Sequence, residues 1–237
     1  MRPTARFYMA VRKYYAFHRG ESCGALSRVY VGTCRERMQK VIRHFEAVDP
    51  QMAELARKHK LKPSRRPTEN RFEYLALTIL YQQLSTKAAG TIAGRFRALY
   101  KTKDFPKPAQ ILKTPDEALR GVGISWSKIK YIKDLAEKVQ KKEVELEEIE
   151  ELEDEAVIAE LIKVKGIGRW TAEMFLMSAL GRPDIFSLGD LGLKTAIKKL
   201  YGYKQLPSDR TILRHSRLWS PHRTTAARLL WASLDNE

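Results

Sequence analysis

The sequence predicts an all-α fold, and three observations carry that expectation. Apolar residues recur at helical spacing through most of the chain, Gly and Pro fall at the breaks, and no stretch sustains the alternation of a half-buried strand. At 237 residues the chain is long enough for one large domain or two small ones with a real core.

Helices are expected at about 38–47, 50–60, 69–81, 85–100, 107–113, 115–120, 127–141, 154–164, 169–181, 190–201, 208–216 and 221–234. Residues 1–37 hold eight basic and two acidic residues and show no sustained pattern. The helical domain is therefore expected over 38–237. The turn Leu80-Tyr-Gln-Gln-Leu-Ser-Thr-Lys87 sets two glutamines inside an apolar pattern, as a solvent-facing turn or a site would. Ser85 caps the helix that follows, and Phe105-Pro-Lys-Pro108 is a short linker. Ser127 is the expected cap of the next long helix, and Ser220 that of the last, with Pro221 at its first helical position. Val157, Ile158, Leu161 and Ile162 recur at helical spacing, and Trp170 to Leu180 is almost wholly apolar, which marks a buried helix.

Between those two helices lies Lys165-Gly-Ile-Gly168, too short for anything but a tight hairpin. Its glycines can take positive φ and admit another backbone closely. Amides at the start of the second helix have no carbonyl one turn earlier and suit an anion. A second hairpin of the same kind surrounds Gly121-Val-Gly123.

The charge suggests which anion. The net charge is +16, yet Glu143 to Glu155 holds nine acidic residues and no basic one, so the rest of the surface is more positive than the mean. A polyanion partner, nucleic acid above all, fits this balance. The longest apolar runs fall short of the ~18 residues a membrane span needs. Two cysteines, Cys23 and Cys34, cannot build a disulfide framework or a four-cysteine cluster, and no ligand cluster for zinc or iron is present. An intracellular, cofactor-free protein is expected. The first 37 residues also lack the continuous apolar run of a signal peptide.

Leu161-Ile-Lys-Val-Lys-Gly-Ile-Gly-Arg-Trp-Thr-Ala172, with Asp190 eighteen residues further on in Phe186-Ser-Leu-Gly-Asp-Leu-Gly-Leu-Lys194, resembles the helix-hairpin-helix (HhH-GPD) DNA glycosylase superfamily. The nearest resemblance is to its 3-methyladenine DNA glycosylase II, or AlkA-like, branch, and it runs from about Val41 to Trp231. It implies a two-lobed helical fold with a DNA-facing cleft and no N-terminal β-domain. Met38 to Pro50 resembles the opening of members without that β-domain, so translation is expected to start at Met38. A disordered basic arm or a targeting extension are the other readings of residues 1–37.

The resemblance also implies roles. Asp190 falls on the catalytic aspartate. An aspartate followed by Leu191, Leu193, Ala196, Ile197 and Leu200 equally reads as a helix N-cap, and the two roles are compatible, because a helix N-terminus favours a carboxylate. A purine alkylated at N3 or N7 is already cationic and leaves readily, so one carboxylate that stabilises the sugar cation suffices where O-glycosidases use two. Relatives that also cut the backbone carry lysine two residues after the second hairpin glycine, and its amine forms a Schiff base. Here the position is Trp170, which implies base removal without strand cleavage. Trp170, Gln82, Met174 and His222 are the implied wall of the base pocket, an aromatic face suiting a cationic base. For each, ordinary packing or surface placement is the alternative reading. Gln83 is the implied wedge that enters the gap left by the flipped base, with Leu84 as the fallback. Gly166, Gly168, Arg169 and Thr171 are implied backbone contacts, with Lys87 and Arg95 secondary. A monovalent cation on the hairpin carbonyls is a further family trait. The implied partner is double-stranded DNA with damaged bases, bound by a monomer.

Overall fold

The structure, a computed structural model, describes residues 34–59, 61, 68, 70–102 and 104–234. Most of the N-terminal segment, and with it the question of its order, lies outside the described residues. Twelve α-helices and one short 3₁₀ turn make up the described residues, which contain no strand. The helices fall into two compact units.

The first unit lies within Arg66–Leu180 and holds α3 (Arg71–Tyr81), α4 (Thr86–Ala98), α5 (Pro108–Lys113), α6 (Asp116–Gly121), α7 (Trp126–Gln140), α8 (Asp154–Leu161) and α9 (Arg169–Ser178). Helix α3 starts where the Asn70 side chain accepts the Glu73 N–H, and every residue from Glu73 to Tyr81 is buried. A helix apolar on all sides is a core helix. Helix α9 is its counterpart, buried from Thr171 to Met177. The two meet where the Tyr74 and Phe175 rings stack edge to face at 5.6 Å. Helix α7 is amphipathic, burying Ile129, Ile132, Leu135 and Ala136 beneath α5 and α6. Buried Glu73 is neutralised by Arg97, whose guanidinium also lies 5.6 Å from the Phe105 ring. The acidic run is anchored rather than loose. Arg71 donates to the Leu146 carbonyl at 2.6 Å and pairs with Glu150.

The second unit joins chain from before Arg65 to chain after Gly181. It holds α1 (Cys34–Val48), α2 (Pro50–Lys58), α10 (Leu191–Leu200), α11 (Asp209–Leu218) and α12 (Arg223–Leu234). Helix α10 packs on α12, and α12 on α2. Trp219, Trp231 and Phe45 are the largest side chains of its core. Asp49 is the unit's buried knot. Its Oδ1 accepts the Met52 N–H at 3.1 Å and so caps α2, while Oδ2 accepts Trp219 Nε1–H at 2.8 Å and the Tyr201 hydroxyl. One carboxylate thereby ties the start of α2 to the ends of α10 and α11. Burial, and then the bond to Asp49, push the Tyr201 hydroxyl pKa far up.

Every expected helix is present, with ends displaced by a few residues. Four local expectations need correction. The cap of α7 is Ser125, which accepts the Lys128 N–H, and not Ser127. Helix α12 begins at Arg223, so Pro221 precedes the helix. Ser220 does not cap it. Its hydroxyl donates to Asp184 at 2.7 Å, and Asp184 itself accepts the Arg223 N–H at 3.1 Å. Helix α1 begins at Cys34, four residues before the expected start at Met38.

Candidate active site

The carboxylate site belongs to the second unit. Asp190 is the N-cap of α10, and it is 1% exposed. Its Oδ1 accepts the Leu193 N–H at 2.7 Å and the indole N–H of Trp231 at 3.1 Å. The first bond follows from local sequence, since a cap bonds the backbone three residues on. The second comes from α12, 41 residues away, and no local pattern announces it. Helix start and indole fix the carboxylate's rotamer, so its position is preorganised. A buried, oriented carboxylate is suited to stabilise a developing cation at low local dielectric.

His222 lies half-buried in the same unit, just ahead of α12. Its ring meets that of His44 edge to face at 5.2 Å and lies 6.5 Å from Phe45. Burial lowers its pKa and His44 lowers it further, against the pull of Asp184. At neutral pH the imidazole is held neutral.

The hairpin site belongs to the first unit. Gly166 has φ +83, a conformation that side chains disfavour, and a Cβ there would sit 2.3 Å from the Tyr131 ring. Gly168 is different. It is the N-cap of α9 with φ −100, ordinary extended backbone, and a Cβ there would meet nothing within 4 Å. The first glycine makes the turn, and the second leaves the helix start open, where amides suit an anion. Helix α7 braces the hairpin from below. Asp134 accepts the Lys165 N–H at 2.8 Å, and Lys138 donates to the Lys163 carbonyl at 2.6 Å. Burial raises the Asp134 pKa, but bonds and charges from Lys138 and Lys165 outweigh it and hold the carboxyl below its usual range.

The other expected residues divide. Trp170 lies half-buried in the first turn of α9, while Met174 is 1% exposed and fills the core. Thr171 is 4% exposed. Arg169 holds Glu155 through both terminal nitrogens, at 2.9 and 2.5 Å, and Glu173 through Nε at 3.1 Å. The acidic run thus occupies the arginine expected on phosphate. Lys87 and Arg95 are exposed on α4. Gln83 is exposed with φ +57, at the tip of the α3–α4 turn, and Leu84 is half-buried behind it. Gln82 points its amide at the hairpin and donates to the Gly166 carbonyl at 2.9 Å.

Sequence reasoning did not single out Lys128. Its ammonium is half-buried and donates to the Leu80 carbonyl at 2.8 Å, where α3 has no basic residue of its own in the last turn. Burial brings its pKa down from 10.5 to about 8. A base whose folded pKa lies below its unfolded value destabilises the fold while charged, so stability should rise as pH climbs through that interval. The unfolding free energy of the native chain relative to Lys128→Met is expected to be flat below about pH 8 and to increase from there towards pH 10.5, read by urea denaturation. A flat difference across that range would show the amine to be normally solvated.

Among the described residues no group of three or more His, Cys, Asp and Glu could hold a metal ion, and no helix is long and apolar enough to cross a membrane.

The chain as a whole is similar to known proteins. A family model described as the HhH-GPD superfamily base excision DNA repair protein matches residues 76–221. DNA-3-methyladenine glycosylase 1 of Schizosaccharomyces pombe is 36% identical over 161 residues, covering 68% of this chain and 71% of its own. The crystal structure of DNA-3-methyladenine glycosidase from Bacillus halodurans superposes with a TM-score of 0.73 at 36% identity, over 81% of this chain and 88% of that one. The S. pombe 3-methyladenine DNA glycosylase in complex with abasic DNA superposes with a TM-score of 0.72 at 32% identity, over 83% and 97%.

Proposed function

Because the chain belongs to the HhH-GPD superfamily of base excision DNA repair proteins, we propose that it is a monofunctional DNA glycosylase that excises alkylated purines. The observation that carries this reading is Asp190, a buried carboxylate held by a helix start and an indole N–H. The names of its relatives, which are 3-methyladenine glycosylases, support the substrate class.

The damaged nucleotide leaves the duplex, as chemistry on a stacked base requires. The Gly166–Gly168 hairpin holds the DNA backbone by its amides, and Gln83 enters the gap. A monovalent cation on hairpin carbonyls would strengthen that grip. The N-glycosidic bond breaks heterolytically, its electron pair going to the already cationic base. Asp190 stabilises the sugar cation left behind and orients the water that attacks C1′. The attacking water passes one proton to the Asp190 carboxylate and on to solvent, and a neutral free base and an abasic site result. Trp170 offers an aromatic face to a positive base, which would select by charge. The protein acts inside the cell, as a monomer on double-stranded DNA.

Trp170 stands where a lyase would carry its nucleophilic amine, and the nearby Lys163 is engaged by Glu160 at 2.6 Å. Borohydride added during reaction with a lesion-bearing duplex is expected to yield no covalent protein–DNA adduct. A trapped adduct that disappears on replacing one lysine would establish lyase chemistry instead.

A further inference from the structure

Two loops of the first unit, the α3–α4 turn and the Gly166–Gly168 hairpin, are fixed to each other and to the same face of α7. Lys128, Tyr131, Asp134 and Lys138 fall three or four residues apart along that helix and so share one face. At its N-terminal end Lys128 holds the Leu80 carbonyl at 2.8 Å, just before the turn. Further along, Tyr131 lies beneath Gly166, Asp134 takes the Lys165 N–H, and Lys138 takes the Lys163 carbonyl. The Gln82 amide closes the frame by bonding the Gly166 carbonyl, 84 residues away in sequence. The next residue in the turn is Gln83, exposed and in the left-handed region at φ +57. A non-glycine residue keeps that conformation when its surroundings dictate it.

We propose that Gln82 and Lys128 are positioning residues that lock the exposed Gln83 in register with the hairpin, so that one rigid piece both grips the DNA backbone and fills the gap in the stack. Gln82 acts through Gln83 and the hairpin, not by touching the base. The proposal rests on the reading of the chain as a DNA glycosylase.

The test is a double-mutant cycle on a duplex that carries a tetrahydrofuran abasic analogue beside 2-aminopurine. The fluorescence reports unstacking when a side chain enters the gap, and needs no catalysis. Gln82→Met removes the donor and keeps the length. Gln83→Ala removes the entering side chain. Each single variant is expected to weaken the unstacking complex about tenfold, within the usual range for coupled neighbours. The double variant should be no worse than Gln83→Ala alone. Lys128→Met should behave in the same way, and it carries the cycle should Gln82→Met fold poorly, as judged by its melting temperature. Additive losses in the double variants would overturn the proposal. So would a Gln82→Met protein with native unstacking and an altered preference between 3-methyladenine and 7-methylguanine, because Gln82 would then contact the base. If the native chain unstacks the duplex with this coupling but releases no base from alkylated DNA, the glycosylase reading fails and the frame stands.

Discussion

Asp190→Asn is expected to abolish base release while leaving the fold and DNA binding nearly intact. The asparagine carbonyl can accept the same two hydrogen bonds, from the Leu193 N–H and the Trp231 indole, so helix α10 keeps its cap. Stability should change by about 1 kcal/mol or less, the usual span among good capping residues. What disappears is the negative charge that, in the proposed mechanism, faces the sugar cation. Loss of one preorganised electrostatic group costs roughly a hundredfold to a thousandfold in rate, and here it is the only such group in the proposed mechanism. Single-turnover excision and thermal melting of the two proteins, measured side by side, separate the effects. Full activity in the variant would remove Asp190 from the chemistry. A collapse in melting temperature would reduce it to a structural cap.

Gly166→Ala is expected to damage the fold, whereas Gly168→Asp should damage DNA binding alone. At Gly166 a Cβ meets the Tyr131 ring at 2.3–2.8 Å and stands in a left-handed backbone. The conformation costs roughly 1–2 kcal/mol and the overpacking a further 1–3 kcal/mol. A loss of about 3 kcal/mol lowers the melting temperature of a chain this size by roughly 6–12 °C. At Gly168 the backbone is extended and the space is open, and aspartate is a favoured N-cap. Melting of Gly168→Asp should therefore match or slightly exceed that of the native chain. Its carboxylate, set against a phosphate, should weaken binding to abasic-site DNA about tenfold, and equally for every lesion, because backbone contacts position DNA without reading bases. If Gly166→Ala melts normally, the ring beneath the hairpin is not a constraint. If Gly168→Asp impairs only one lesion, that glycine lies in the base pocket.

Those two glycines show what the sequence carries and what it omits. Gly-Ile-Gly announces a hairpin between two helices, yet the residues look alike, and their separate reasons depend on Tyr131 35 residues earlier in the chain. The helices were legible because apolar residues follow a 3.6-residue period on α7 and fill α3 and α9 almost throughout. Caps made by neighbours, such as Ser85 and Asp190, were legible for the same local reason. The cap at Arg223 was not, because Asp184 supplies it from 39 residues away. Asp190 could be read as a cap from its neighbours and as a catalyst from the family resemblance, but its bond to Trp231 required the fold. Gln82 shows the limit most clearly. A buried-looking glutamine signals an unmet hydrogen bond, and only the folded chain reveals that its partner is the hairpin carbonyl.

The proposed activity is tested most directly by identifying what the native chain releases from methylated duplex DNA. Mass analysis of the soluble fraction is predicted to find free 3-methyladenine and 7-methylguanine, with an intact backbone and abasic sites left in the duplex. No free base above the spontaneous rate, at protein concentrations that saturate binding, would contradict the account.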